Sequence, residues 1–301
     1  AIVTAVILVA VIAIIIMDPG TNKEKENDDN KNEVSKNVEE NSDIDYMSNA
    51  EKQFAEPAEG ETIAVMHVKG FGKITFKFFD DVAPKAVENF LTHAKDGYYN
   101  GVKFHRVMNE FMIQSGDPEG TGAGGESIWG TGFEEEIDES ILPYRGSLCM
   151  ASTGYGMSSL GSQFFITQAN PDNEMASMLE AYGYPKGLID AYKTYGGYMS
   201  LAGQYTVFGQ VVDGMDVVDK IAGVKVKESD TGEMSVPVED VIIEKIEVKE
   251  EEIPYETITK NSNSSSDDRT NKVIQQGKDG LKEVTYKVKY QNDIEISRTV
   301  V

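Results

Sequence analysis

Thiol and imidazole chemistry is nearly absent from this chain: one cysteine, Cys149, and three histidines, His67, His93 and His105, in 301 residues. A lone cysteine excludes an intrachain disulfide and a thiolate zinc cluster, and the scattered histidines show no metal-ligand spacing. Positive charge is scarce as well. Against 51 Asp and Glu stand 28 Lys and Arg, a net charge of −23 with an isoelectric point near 4.5, whereas a nucleic-acid surface needs clustered cations against phosphate. Nucleic acid is therefore set aside as a partner. Long apolar runs are missing too, except at the start of the chain.

That exception is AIVTAVILVAVIAIIIM, residues 1–17, uncharged and apolar on every side, close to the length a bilayer requires. It predicts a single-pass signal anchor in a membrane; a cleaved secretory signal is the competing reading, but no small-x-small cleavage site follows. The chain opens on Ala rather than Met, so a preceding start bearing the orienting Lys or Arg is expected. Either way the remainder is expected on the extracytoplasmic side. Composition then shifts abruptly: residues 18–62 hold 14 acidic and 5 basic residues, too charged and too little apolar to order themselves. Residues 18–60 thus read as a disordered acidic linker, extended by self-repulsion.

A folded unit is expected over 61–249. IAVMHVK and KITFKFF alternate with the period of strands, with Ile74, Phe76 and Phe78 on one face and Gly70-Phe71-Gly72 as the turn between. In DDVAPKAVENFLTHAKDG the period becomes helical, with Val87, Phe90, Leu91 and Ala94 on one stripe, Asp80 or Asp81 as cap, Pro84 in the first turn and Gly97 at the end. GVKFHRVM, FMIQSGD, GSLCMAS, SQFFITQ, YTVFGQVV and VIIEKIEV read as further strands, with a short helix over 213–221. Many short strands and few helices predict a closed barrel with helical plugs.

Four motifs carry a resemblance. FHRVMNEFMIQSGD (104–117), GSLCMAS (146–152), GSQFFITQ (161–168) and YTVFGQVVDGMDVVDKI (205–221), in this order and at these separations, resemble the cyclophilins, which are peptidyl-prolyl cis/trans isomerases. The resemblance implies a mainly β fold, an eight-stranded antiparallel barrel capped by two helices, one of them the Pro84 helix. It implies a site on the barrel's outer face, with Arg106, Gln114 and Phe111 as catalytic residues and Met112, Ala151, Ser152, Gln163, Phe165, Leu201 and Tyr205 as substrate-binding residues. Neither metal nor cofactor is implied. The sequence also departs from the family: Ser200, Leu201, Ala202 and Gly203 stand where many members carry Trp and then Leu-Asp-Gly, Tyr205 stands at the site histidine, and Ser152 at an asparagine.

The chemistry of such a site follows from the amide. Rotating an X-Pro bond breaks its resonance, a barrier of about 18–20 kcal/mol. A catalyst must favour the twisted amide, whose prolyl nitrogen regains a lone pair able to accept a hydrogen bond. Arg106 is a permanent donor that needs no activating base. Phe111, Met112, Phe165 and Leu201 would form an apolar socket for the proline ring, excluding water and strengthening that hydrogen bond, while Gln114 and Gln163 would hold the flanking carbonyls. Alternation turns His105 away from Arg106, as a hydrogen-bonded structural residue, and Cys149 reads as buried filler.

Two further motif matches fail on context. GTGAGG, 120–125, fits a phosphate-loop pattern but is followed by more glycines and no helical stripe. DTG at Asp230 lies in the polar stretch KESDTGEM and has no second copy.

Residues 173–198 form an insertion, with Met175, Met178, Leu179 and Tyr182 at helical spacing, as are Leu188, Tyr192 and Tyr195, and Gly183 and Pro185 between: a helical hairpin. Its stripes either bury one another or extend a client groove. Residues 253–301 read as three strand segments and resemble the first part of a G5 domain, an all-β module of cell-wall-associated bacterial proteins, implying either wall-glycan binding or a spacer. The reading as a whole is a bacterial membrane-tethered isomerase assisting the folding of proline-containing exported proteins. A non-catalytic protein that binds proline peptides or the cell wall is the alternative.

Overall fold

Period-two alternation in the first two apolar runs becomes an antiparallel hairpin: β1 (Ile63–Val68) pairs with β2 (Gly72–Phe78), Met66 opposite Ile74 and Ala64 opposite Phe76, all four fully buried. The structure, a computed structural model, describes residues 44–58, 60–152 and 159–249, and the backbone of four strands beyond them. The expected membrane segment, 1–17, and residues 18–43 of the expected linker lie outside the described residues. Among those described, no helix is long and apolar enough to cross a membrane.

β3 (Arg106–Met108), β4 (Met112–Ser115), β5 (Ser147–Ser152), β6 (Leu160–Thr167) and β7 (Val207–Asp213) follow. Next come a separate small hairpin of β8 (Val226–Glu228) and β9 (Met234–Pro237), and then β10 (Ile243–Lys249). Eight of these form one antiparallel sheet in the order β10-β1-β2-β7-β5-β6-β4-β3. The segments leading into its two edge strands are joined: Ile243 N–H donates to Val102 O at 2.8 Å, Phe104 N–H donates to Val241 O at 2.9 Å, and Lys103 bridges Ile242. The sheet therefore curls into the expected eight-stranded barrel, its inside filled by Phe76, Phe164 and Phe208.

Among the described residues five helices surround it: α1 (Tyr46–Phe54), α2 (Pro84–Lys95), α3 (Asn173–Ala181), α4 (Lys186–Tyr195) and α5 (Met215–Ala222). The two plugs are α2 and α5. α2 sends Val87, Phe90 and Ala94 into the core, where the Phe90 ring meets Phe164 edge-on at 5.3 Å. Its start is not capped by Asp80 or Asp81. Ala83 occupies the cap position, and the Glu136 carboxylate, 50 residues on, accepts from Lys85 N–H at 3.2 Å and Ala86 N–H at 3.0 Å, placing an anion at the positive helix end. α5 begins two residues later than its sequence pattern: Asp213 stays in β7, and Gly214 turns the chain at φ +90°, where a Cβ would lie 2.2 Å from Lys73 O.

Residues 44–58 are a correction to the linker reading. α1 packs on the domain through Tyr46 and Ala50, and Gln53 is fully buried. The Gln53 amide donates to Leu142 O (2.8 Å), Ser147 Oγ (3.0 Å) and Gln210 Oε1 (3.1 Å), and its oxygen accepts from Leu142 N–H (3.2 Å). Buried Lys77 of β2 reaches the helix C-terminus, donating to Lys52 O at 3.0 Å and Ala55 O at 2.6 Å, where a cation complements the dipole. Mean composition hid a stripe at i, i+4 and i+7 that has docking partners.

α3 and α4 form the expected hairpin. Leu179, Leu188 and Tyr192 are buried against Tyr46, Ala50, Leu142 and Tyr144, so the stripes pack on α1 and each other. Met178 and Tyr182 remain exposed. Residues 250–301 are a separate unit. Where three strand segments were expected, four strands pair as two hairpins: β11 (Ile258–Lys260) with β12 (Lys272–Gln275), and β13 (Tyr286–Gln291) with β14 (Ile294–Val300). Gly277 and Gly280, which the sequence marks as a turn within this unit, lie outside the described residues.

Candidate active site

Sheet register assembles the site. Arg106 on β3 is paired with Gln114 on β4, Gln114 with Phe165 on β6, and Phe165 with Cys149 on β5. Paired residues in an antiparallel sheet share a face, and Met112, two positions from Gln114, joins them. Phe111 enters from the β3–β4 turn, in which Glu110 holds a positive φ of 58° and its carboxylate accepts from Asn170 N–H and Nδ2. Leu201 comes from a 3₁₀ turn, Met199–Leu201.

These side chains form an apolar socket separate from the barrel core. Met112, Phe165 and Leu201 are buried, Phe79, Cys149 and Val207 lie with them, and Phe111, Ala151, Tyr198 and Tyr205 pack around them half-buried. Tyr205 meets Phe165 edge-on at 5.3 Å, and Tyr198 lies 4.7 Å from Phe111. Tyr198 was not anticipated. It follows the α3–α4 insertion, and its N–H donates to Pro143 O at 3.0 Å, so the inserted hairpin delivers an aromatic ring to the pocket edge.

Arg106 lies at the socket's side, its guanidinium 5.8 Å from the Phe111 ring centre and 35% of its side chain exposed. It is gripped by a residue absent from the sequence reading: Glu233, on the turn between β8 and β9. Nε donates to one Glu233 carboxylate oxygen and Nη2 to the other, both at 2.7 Å. Hydrogen bonding by Arg106 holds the Glu233 carboxyl below the usual range, so it is ionised at neutral pH.

Beside the socket lies a cavity of about 300 Å³ lined by Gln114, Ala151, Ser152, Gln163 and the glycine-rich segment 122–125. Gln163, expected to hold a flanking carbonyl, has its own partners within the protein. Its amide nitrogen donates to Gly122 O (3.0 Å) and Gly124 O (2.8 Å), and its oxygen accepts from Gln114 Nε2 (3.0 Å). Gln163 thus holds the loop, while the Gln114 oxygen and its second amide hydrogen have no partner among the described residues. Asp117 holds the same loop from beneath: fully buried, it accepts from the N–H groups of Glu119, Thr121, Gly122 and Gly124 and from the Thr121 hydroxyl. Burial alone would raise its pKa; these donors outweigh it and bring it to about 2.

His105 faces away from Arg106 as alternation required and is buried, with its ring close to Gly122. Contrary to expectation, neither ring nitrogen makes a well-formed hydrogen bond among the described residues, the Gln163 amide being a polar influence on the ring. Burial pushes its pKa down, so the neutral ring is favoured. Cys149 is fully buried and its thiol pKa is driven far up by burial, as befits filler.

The sequence matches the family described as Cyclophilin type peptidyl-prolyl cis-trans isomerase/CLD over residues 63–248, and the G5 domain over 244–301. A candidate peptidyl-prolyl cis-trans isomerase of Staphylococcus aureus (strain USA300) is 47% identical over 206 residues, 68% of this chain and 100% of that protein. Its counterpart in Staphylococcus epidermidis is 46% identical over the same extent. Among solved structures, a cyclophilin type peptidyl-prolyl cis-trans isomerase of Cryptosporidium parvum is 30% identical, covers 64% of this chain and 99% of that chain, and superposes with a TM-score of 0.49.

Proposed function

The chain belongs to the cyclophilin-type peptidyl-prolyl cis-trans isomerases, and from that premise we propose how and on what it acts: Arg106 stabilises the twisted X-Pro amide of exported proteins. The observation that carries the mechanism is the placement of one partly exposed guanidinium beside an apolar socket. A proline ring seated on Met112, Phe165 and Leu201 displaces water from the groove. In that drier setting a hydrogen bond from Arg106 to the pyramidal prolyl nitrogen is stronger than in bulk water. The same bond is unavailable to the planar amide, whose nitrogen lone pair is delocalised, so the interaction favours the transition state over either isomer. Gln114, on the strand paired with Arg106 and with an oxygen and one N–H uncommitted among the described residues, would hold the backbone beside the proline. No proton changes hands, consistent with a site where the nearest histidine is buried and turned away.

The export reading is supported by the apolar run at 1–17, followed by an acidic stretch, and by the G5 match at the other end. On it the protein sits on the outer face of a bacterial membrane, with the C-terminal module directed to wall glycans. The first test is turnover of an Ala-Pro peptide by the full chain beside Arg106→Ala. The substitution is expected to lower kcat/KM by about 10²–10³, as for loss of a transition-state donor. Retained peptide binding without turnover in the wild type would instead favour a proline-peptide binding protein.

A further inference from the structure

We propose that Glu233 is a positioning residue for Arg106, holding the guanidinium so that its Nη1 edge faces the substrate. This rests on the reading of Arg106 as the catalytic donor. Arginine carries five N–H donors in a rigid plane. The carboxylate takes the Nε and Nη2 side of that plane, with both contacts at 2.7 Å, and Nη2 also approaches Met108 Sδ at 3.4 Å. Nη1 makes no hydrogen bond among the described residues. The grip therefore commits one edge of the fork and leaves the other as the available donor pair.

Little else fixes the side chain. β3 is a three-residue edge strand, and the Phe111 ring at 5.8 Å restrains the plane only loosely. Glu233 itself is fixed from two directions. Within its turn, Ser229 N–H donates to Glu233 O at 2.8 Å and Glu233 N–H to Ser229 Oγ at 3.1 Å. Two residues on, Ser235 of β9 is buried. A bidentate carboxylate on a braced turn converts a flexible arginine into an oriented one, and orientation of a donor is worth large factors in rate. A carboxylate acting as an inhibitory latch would instead cover the reactive edge.

The test uses the full chain with Glu233→Ala and Glu233→Gln, an Ala-Pro peptide, and ¹⁵N spectra of the arginine Nε–H groups. The expected result is a fall in kcat of roughly tenfold for Glu233→Ala, from the rotamer freedom regained, with KM within twofold. Glu233→Gln, which keeps one acceptor oxygen, is expected to lose less. The Arg106 Nε–H signal, assigned by its absence in Arg106→Ala, is expected to be slow to exchange in the wild type and lost in Glu233→Ala. In an Arg106→Ala background, Glu233→Ala is expected to have no further effect. Unchanged or raised kcat in a Glu233→Ala protein whose Nε–H has been released would overturn the proposal, as would a full further loss in the double variant. Arg106→Ala turning over like wild type would refute the underlying mechanism instead, a distinguishable outcome.

Discussion

Substitution of Gln53 by Ala tests whether the domain begins at α1. Gln53 is fully buried, its amide nitrogen shares its hydrogens among three acceptors, and its oxygen is the acceptor for Leu142 N–H. Truncation spares part of the network, because Ser147 Oγ still donates to Leu142 O and Gln210 Nε2 still donates to Arg145 O. Leu142 N–H is left without its acceptor, at about 1–3 kcal/mol, and the lost hydrogen bonds and the vacated space add a comparable amount. A total near 3 kcal/mol is a large fraction of the roughly 5–15 kcal/mol that holds a domain folded. For a domain of this size it corresponds to a fall in Tm of about 6–12 °C. Thermal unfolding of the full chain by near-ultraviolet circular dichroism reads it, with exposed Glu51→Ala on the opposite face as control, expected within about 0.5 kcal/mol. Equal Tm values for the two variants would show that residues 44–58 are linker after all.

Two more perturbations follow from the loop and the socket. Asp117 has a folded-state pKa of about 2 against an ordinary 3.8, so it contributes stability above pH 4 that is lost as pH falls toward 2. Asp117→Asn is expected to cost about 2 kcal/mol at pH 7 in urea unfolding, with the gap to wild type closing below pH 4; a pH-independent gap would contradict the assigned shift. Cys149, fully buried with its thiol pKa driven up by burial, is expected to resist disulfide reagents at pH 8 until denaturant is added. Rapid labelling of the native protein would mean that the socket floor opens.

What was legible in the sequence came from local pattern and from motif resemblance. The first two barrel strands were marked by alternation and the other six as short apolar runs, β5 and β7 being buried on both faces over most of their length, and α2 was marked by its 3.6-residue stripe. The candidate site was legible from another source, the resemblance of four motifs to a known family, and the β3–β4 pairing then places Arg106, Gln114 and Met112 on one face. α1 was lost to averaging. Its nine residues carry only three inward positions, one of them Gln53, and a polar residue that docks through hydrogen bonds leaves no hydrophobic signal.

The features that escaped share one physical origin, contact between polar groups far apart in sequence. Glu136 caps α2 from 50 residues away, and Glu233 grips Arg106 from 127 residues away. KESDTGEM looked like a solvated loop because β8 and β9 are too short to show a period, three and four residues long. Yet it is this hairpin that places a carboxylate on the Arg106 guanidinium. Register along β3 puts Arg106 on one face with Gln114 and Met112; which of its five N–H groups is taken is determined by a partner that no local pattern could have named. The composition of that face is therefore written in the strand register, and the orientation of its arginine in a hairpin outside the sheet.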